Sequence, residues 1–244
     1  MTYELYYWPG LQGRGEFIRL ALEDSGVDYI DVARRSGKGR GMPALMRELK
    51  NGAEPYAPFA PPFLKHGDVV LSQVANILMY LGPKIGLAPD DEGLRFVANG
   101  IQLTIADMVA EVHDTHHPIS TALYYEDQKN EAKARSVSFI RDRIPKFMRY
   151  FERLASHNPS GLGQVVGASV TYVDLSLFQL MEGLAYAFPR ALKTFDADYP
   201  HLANLRESVR ARPNISSYLA SERRIQFNES GIFRHYPELD QEPG

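Results

Sequence analysis

The apolar residues of this chain change their period once, near Gly82-Pro83, and that change restricts the folds open to it. Upstream, short aromatic or alternating runs are separated by helical stripes and by Pro and Gly. Downstream, strand signals fade and long helical stripes take over. The order predicts a small mixed sheet carrying helices, followed by an all-helical part. The 244 residues suffice for two such units sharing an interface.

In the first part, Thr2 to Trp8 (TYELYYW) reads as a strand closed by Pro9-Gly10. Phe17, Leu20 and Ala21 fall at helical spacing, and Gly26 is a stop. Val27 to Ala33 reads as a second strand. A basic loop, RRSGKGRG, follows, and then a short helix from Pro43 to Leu49. Its Arg34, Arg35, Lys38 and Arg40 read as a solvated basic face. FLKHGDVVL predicts a hairpin around His66-Gly67-Asp68. Ser72 is a candidate cap for a helix whose stripe is Val74, Ile77, Leu78 and Leu81.

Residues 83–90 read as a linker and 91–224 as helical, with 225–244 an extension. One stripe runs through Leu94, Val97, Ile101, Ile105, Met108 and Val112. Another runs through Ile140, Ile144, Phe147, Phe151 and Leu154, with Pro145 forcing a kink or restart. Thr171 is a candidate N-cap, and Asp174, three residues on, can reach back to its amide. That role makes Asp174 structural. Phe227, Ile232, Phe233 and Tyr236 are too apolar for a free tail. The extension therefore docks, either along the surface or over a cleft.

Net charge is −3, which points to neither nucleic acid nor a membrane surface. The chain has no cysteine, so disulfides, thiolate zinc sites and cysteine nucleophiles are excluded. A thiol taking part in chemistry here belongs to a substrate. No run approaches the roughly 20 apolar residues of a membrane span, and the N-terminus lacks the pattern of a signal peptide. A cytoplasmic location is expected.

Four local motifs carry a resemblance. They are Tyr7-Trp8-Pro9 followed by Gly13-Arg14, the segment PPFLKHGDVVLSQVANILMYLG, a long helix bearing Asp107, and VGASVTYVDLSLF. Together with the element order they resemble the cytosolic glutathione S-transferases, closest to the tyrosine-type classes (pi, mu, sigma). The resemblance implies a thioredoxin-like βαβαββα domain over 1–82 and an all-helical domain over 91–224, an α/β plus all-α chain. The chain departs from the pattern in four places: one extra residue in the first turn, Gln12 where arginine is usual, Val74 where serine is usual, and Pro61, which has no N–H to offer.

The resemblance implies nucleophilic attack by glutathione on a small electrophile, with glutathione as co-substrate and no cofactor or metal. A free thiol has a pKa of about 8.5 and is mostly protonated at neutral pH. A hydrogen-bond donor aimed at the sulfur favours the thiolate, and a phenol remains a donor at pH 7. The family pattern selects Tyr7 for this role, with Tyr6 the runner-up. It assigns Arg14, Lys50, Pro61, Pro62, Ser72 and Gln73 to glutathione, and Asp107 to glutathione of a neighbouring subunit in a homodimer. Trp8, His113 and His117 fall beside the electrophile pocket. His113 and His117 are four apart and share a helical face, which could hold a metal, but no third ligand is evident and pocket lining is preferred. Peroxidase or isomerase chemistry would use the same thiolate. The alternative is a non-enzymatic or weakly active ligand-binding or scaffold member of the fold.

Overall fold

The computed structural model describes residues 2–51, 55–161 and 163–242. The first part is β1 (Tyr3–Tyr6), α1 (Gly15–Ser25), β2 (Tyr29–Asp31), α2 (Gly41–Asn51), β3 (Phe63–His66), β4 (Val69–Ser72) and α3 (Val74–Leu81). The sheet order is β2-β1-β3-β4. β1 runs parallel to β2, with Tyr3 opposite Tyr29, and antiparallel to β3, with Tyr6 opposite Phe63. β3 and β4 form the expected hairpin.

Alternation in β1 separates its side chains onto two faces. Leu5 packs with Ile18 and Leu22 of α1 and Ile77 and Leu81 of α3. Tyr6 points the other way, to Ala44 and Leu45 of α2 and to Phe63. Both sheet faces are thus covered by helices.

Two strands are shorter than the sequence reading. β1 stops at Tyr6, so Tyr7 and Trp8 lie beyond its ladder. β2 covers only Tyr29–Asp31, and Val32–Arg34 closes into a 3-10 turn. The β-branched and aromatic residues that suggested longer strands are instead packing beyond the ends of the pairing. Ser72 is not the cap of α3 either. It is still paired in β4 opposite Phe63, and an extended residue inside a ladder cannot also open the helix. Gln73 makes the turn instead.

The second part is helical: α4 (Glu92–Asp114), α5 (Lys129–Ser138), α6 (Ile144–His157), α7 (Tyr172–Ala187), α8 (Phe195–Asp198), α9 (Pro200–Arg210) and α10 (Pro213–Leu219). Asp91 caps α4 by accepting the Leu94 N–H at 2.8 Å. The buried stripe of α4 starts only at Ala98 and Ile101; Leu94 and Val97 are exposed. Pro145 cannot donate to the carbonyl of Arg141, and the chain widens into a π turn over Phe139–Arg143 before α6 restarts. α7 is buried almost all round, and α1 packs against α7 and α10 while α3 packs against α4. Phe17, Leu20 and Ala21 of α1 therefore belong to the core of the helical part.

Glu16, fully buried, joins the two parts through charge. It receives Arg224 Nη1 and the Tyr218 hydroxyl, both at 2.5 Å, and Arg19 Nη1 at 3.1 Å. Burial opposes its ionisation, but Arg224, Arg19 and Tyr218 outweigh it and hold the carboxyl below its ordinary range. Arg224 continues to Gln179, which donates to Gln12 at 2.7 Å, and Gln12 donates to the Ile225 carbonyl at 2.5 Å. Gln12 is thus a structural link of α7 and the C-terminal segment to the first turn. A longer arginine there would have to leave this chain of bonds.

The extension is docked on the helical part. Ile232, Phe233 and Leu239 are buried. Phe233 fills the place where α7 lacks a side chain: a Cβ at Gly183 would lie 2.3 Å from its ring. The Asp240 carboxylate receives the N–H groups of Arg190 and Ala191 at 2.8 and 3.0 Å. Asn228 and Ile225 also tie the segment to Gly10 and Gln12, so it runs from the turn after Tyr7 to the end of α4. The basic loop is less solvated than its composition suggests, because Arg34 donates to the Arg223 carbonyl and Arg40 pairs with Glu4.

Candidate functional site

Tyr7 follows the last paired residue of β1 and is 4% exposed. The turn before α1 folds over it. The backbone N–H of Arg14 donates to the Tyr7 hydroxyl at 2.9 Å. Two glycines permit this approach: a Cβ at Gly13 would lie 2.1 Å from the hydroxyl oxygen, and one at Gly15 would lie 2.5 Å from the ring. Gly13 also has φ +45°, where side chains are disfavoured. The hydroxyl oxygen accepts, but its own proton has no acceptor among the described residues. Burial pushes the phenol above its ordinary value, against the pull of the Arg14 amide and charge, so it stays protonated at neutral pH.

Tyr6 is placed differently. Its hydroxyl donates to Glu4 at 3.2 Å, and its ring stacks on Phe63 with centroids 4.6 Å apart. Burial and then Glu4 raise its pKa strongly. Trp8 is half-buried and packs on the same α2-facing cluster.

Arg14 connects this turn to a cavity of about 210 Å³ between α1, α3 and α4. Gln73, Val74, Gln102 and Ala106 share its wall. Gln73 has φ 69° and ψ 127°, the only positive φ outside glycine among the described residues. Such a conformation costs on the order of 1–3 kcal/mol and is typical of residues held for binding. The bond between Pro61 and Pro62 is cis, and Pro62 is buried beside the start of β3. Asp107 is exposed on α4 without an internal partner among the described residues. Lys50 is exposed at the end of α2 and is not brought to the cavity. Ser72 is half-buried, with its carbonyl accepting from Asn76. A larger cavity, about 470 Å³, lies behind β2 between Glu23, Tyr29, Arg34 and Arg223; none of the sequence-predicted residues lines it.

His113 and His117 do come together at the end of α4, and His116 joins them. Burial first, then His117 and the Arg14 and Arg234 charges, lower His113 to about 4. Burial lowers His116 to about 3. Sequence reasoning paired His113 with His117 and left out His116, although its three-residue spacing from His113 also puts it on that helical face. Nor did it single out Gly13 and Gly15 as the residues that make room for Tyr7, although the spacing Gly-Arg-Gly is a visible signal of close backbone approach.

A family model, "Glutathione S-transferase, C-terminal domain", matches residues 113–222. The chain is 30% identical to glutathione S-transferase P 1 of Xenopus laevis over 224 residues, 91% of this chain and 93% of that protein. It is 28% identical to a glutathione S-transferase of Plasmodium falciparum, over 90% of this chain and 95% of that one. Among solved structures, the pi-class glutathione S-transferase of Onchocerca volvulus superposes with a TM-score of 0.67 at 22% identity, covering 90% of this chain and 92% of that one. The thioredoxin-like sheet with its helical partner has these structural neighbours. With the Xenopus relative 30% identical across 91% of this chain, the protein belongs to the glutathione S-transferase family, and it is a transferase.

Proposed function

We propose that this transferase activates glutathione through Tyr7, whose hydroxyl donates to the sulfur and stabilises the thiolate for attack on a small electrophile. The observation that carries the reading is the state of that hydroxyl. It accepts from the Arg14 amide while its proton has no partner among the described residues. An accepted hydrogen bond polarises the O–H and strengthens it as a donor. Tyr6 lacks that freedom, because its proton goes to Glu4.

Around this centre, Gln73 and the Arg14 side chain supply polar groups to the cavity beside the start of α3, suited to a carboxylate. Pro61 offers its carbonyl alone to the peptide part of glutathione, next to Pro62. Ser72 and Lys50 are the weaker members of the set, one engaged near the turn and the other distant from the cavity. Asp107 would serve the tripeptide of a second subunit. A homodimer is supported by apolar side chains left in solvent: Phe59 is 95% exposed, and Phe96 and Leu103 of α4 are 58% and 51% exposed. A shift to the monomer on sizing with light scattering is expected for Phe59→Ser, with unchanged helicity. Trp8, His113 and His117 would border the electrophile. Residues 1–82 would hold glutathione and 91–224 the electrophile, joined by 83–90, in a cytoplasmic detoxifying enzyme. No helix among the described residues is long and apolar enough to cross a membrane.

The test is glutathione binding by calorimetry, with thiolate absorbance of the bound tripeptide titrated against pH. The wild type is expected to bind and to lower the thiol pKa by about two units, or ~2.7 kcal/mol. Tyr7→Phe is expected to bind and lose that shift. Retention of the shift would move the role to another donor. Failure of the wild type to bind at millimolar glutathione would favour a ligand-binding member of the fold, with Val74 and Pro61 the reason.

A further inference from the structure

We propose that His113, His116 and His117 form a binding site for one divalent transition-metal ion of the zinc, cobalt, nickel or copper type. The backbone brings the three rings together. α4 ends at Asp114, and the chain turns so that the N–H groups of His116 and His117 both bond to the His113 carbonyl, at 3.3 and 3.2 Å. The ring centroids then lie 4.8 to 5.0 Å apart. One nitrogen from each ring can be chosen so that all three fall within 4.8 Å of one another.

Hydrogen bonding decides which nitrogens face inward. His116 Nε2 lies 2.8 Å from the Ile232 carbonyl oxygen, which can only accept. Nε2 therefore carries the proton, and the lone pair is on Nδ1. That Nδ1 is 2.6 Å from Nδ1 of His117. A lone pair meeting a nitrogen at this distance requires the proton on the other side, so His117 is protonated at Nδ1 without metal. A cation entering between them takes both lone pairs, and His117 moves its proton to Nε2.

The Ile232 carbonyl acts as the outer partner that orients a ligating histidine and fixes its tautomer. Ile232 is itself buried, which makes His116 the rigid member. His117 is half-buried and free to adjust. For bonds of about 2.0–2.1 Å in a tetrahedral site, ligand nitrogens stand about 3.3 Å apart. On binding, the close pair opens and the far nitrogen approaches by side-chain torsions of His113 and His117. Three imidazoles without a carboxylate suit borderline ions and not magnesium or calcium. Arg14 and Arg234 lie close enough to repel charge from His113, so the affinity comes from the nitrogen bonds, and the fourth position is left to water. Bound metal would fasten the end of α4 to the C-terminal segment through His116 and Ile232. The proposal does not rest on the Tyr7 reading, although His113 and His117 also stand at the proposed electrophile border and Arg14 lies near His113.

The experiment is titration of untagged full-length protein with zinc alone by calorimetry, with cobalt as an optical reporter of geometry. One equivalent is expected, with a visible cobalt spectrum of four-coordinate intensity. Removing an outer partner alone weakens metal sites by 10–100-fold, so losing a ligand in His117→Ala should weaken binding by more than about 100-fold. His117→Ala loses its bond to the buried His116 Nδ1 and is compared at matched helicity; His113→Ala, whose ring makes no hydrogen bond among the described residues, is the second variant and should keep the wild-type melting temperature without metal. His157→Ala and His201→Ala should bind as the wild type does. Absence of stoichiometric binding by the wild type would overturn the proposal. So would equal affinity in the wild type, His117→Ala and His113→Ala.

Discussion

Of the turns that bind a side-chain oxygen with backbone amides, those at Asp174 and Tyr7 differ in what is left over. At the start of α7, Asp174 is buried with both oxygens engaged. One receives the Val165 N–H at 3.0 Å; the other receives the Thr171 N–H at 2.7 Å and its hydroxyl at 2.9 Å. A carboxylate has nothing further to donate, so the group is closed. At the start of α1, Tyr7 receives one amide and retains its proton. Both groups are satisfied enough to be buried, but only the phenol keeps a donor for a ligand. Full internal satisfaction marks a fold element, and a deliberate remainder marks a site.

The largest test of this contrast is Asp174→Ala. It removes the cap and leaves buried amides at Val165 and Thr171 without acceptors, at roughly 1–3 kcal/mol each. A loss of about 3–5 kcal/mol is expected in denaturant unfolding, and a loss under 1 kcal/mol would deny the cap its role. The same residue should show in the pH profile. Burial pushes its carboxyl up to about 6, against the pull of the Thr171 and Val165 amides. A group with a folded pKa above its unfolded value of 3.8 favours the folded state most at low pH. Its contribution is full below that unfolded value and is lost as pH rises through about 6. Relative to Asp174→Asn, the wild type should lose on the order of 3 kcal/mol between pH 4 and pH 7. A flat difference would show that the amides hold the carboxylate ionised throughout.

Gly13→Ala comes next. Its Cβ would lie 2.1 Å from the Tyr7 hydroxyl, in a backbone conformation that alanine disfavours. About 1–3 kcal/mol of destabilisation is expected, together with loss of glutathione thiol activation, because the hydroxyl has to move. Unchanged activation would mean that the Tyr7 position is not critical. Tyr7→Phe should have the smallest effect on stability, about 1 kcal/mol for the Arg14 amide left without its acceptor, while abolishing activation. A larger loss would make Tyr7 a second structural cap, like Asp174, and erase the contrast.

Much of the fold was legible because it rests on local rules. The hairpin at His66-Gly67-Asp68, the restart at Pro145 and the reach of Asp174 back to Thr171 each depend on residues a few positions apart. Readings failed where the deciding partner was distant. Whether β1 continues past Tyr6 depends on β3, which offers Phe63 as its last partner. Leu94 and Val97 are exposed at an open groove shared with Leu154 and His157 of α6, which their spacing does not encode. Gln12 reads as a defect in a motif until Gln179 and Ile225 are brought to it.

By itself the sequence determined the switch from mixed to helical structure, the Thr171–Asp174 cap, the hairpin turn, and the family resemblance borne by the Tyr7, Pro62 and Thr171 segments. These come from periodicity and short-range hydrogen bonding, which act within a few residues. Tertiary structure alone decided that Tyr6 gives its proton to Glu4 while Tyr7 keeps its own. It alone fixed the tautomer of His116 through the Ile232 carbonyl, more than a hundred residues away. The physical reason is that a polar group's remaining valence depends on every neighbour around it, and most of those neighbours arrive only when the chain is packed.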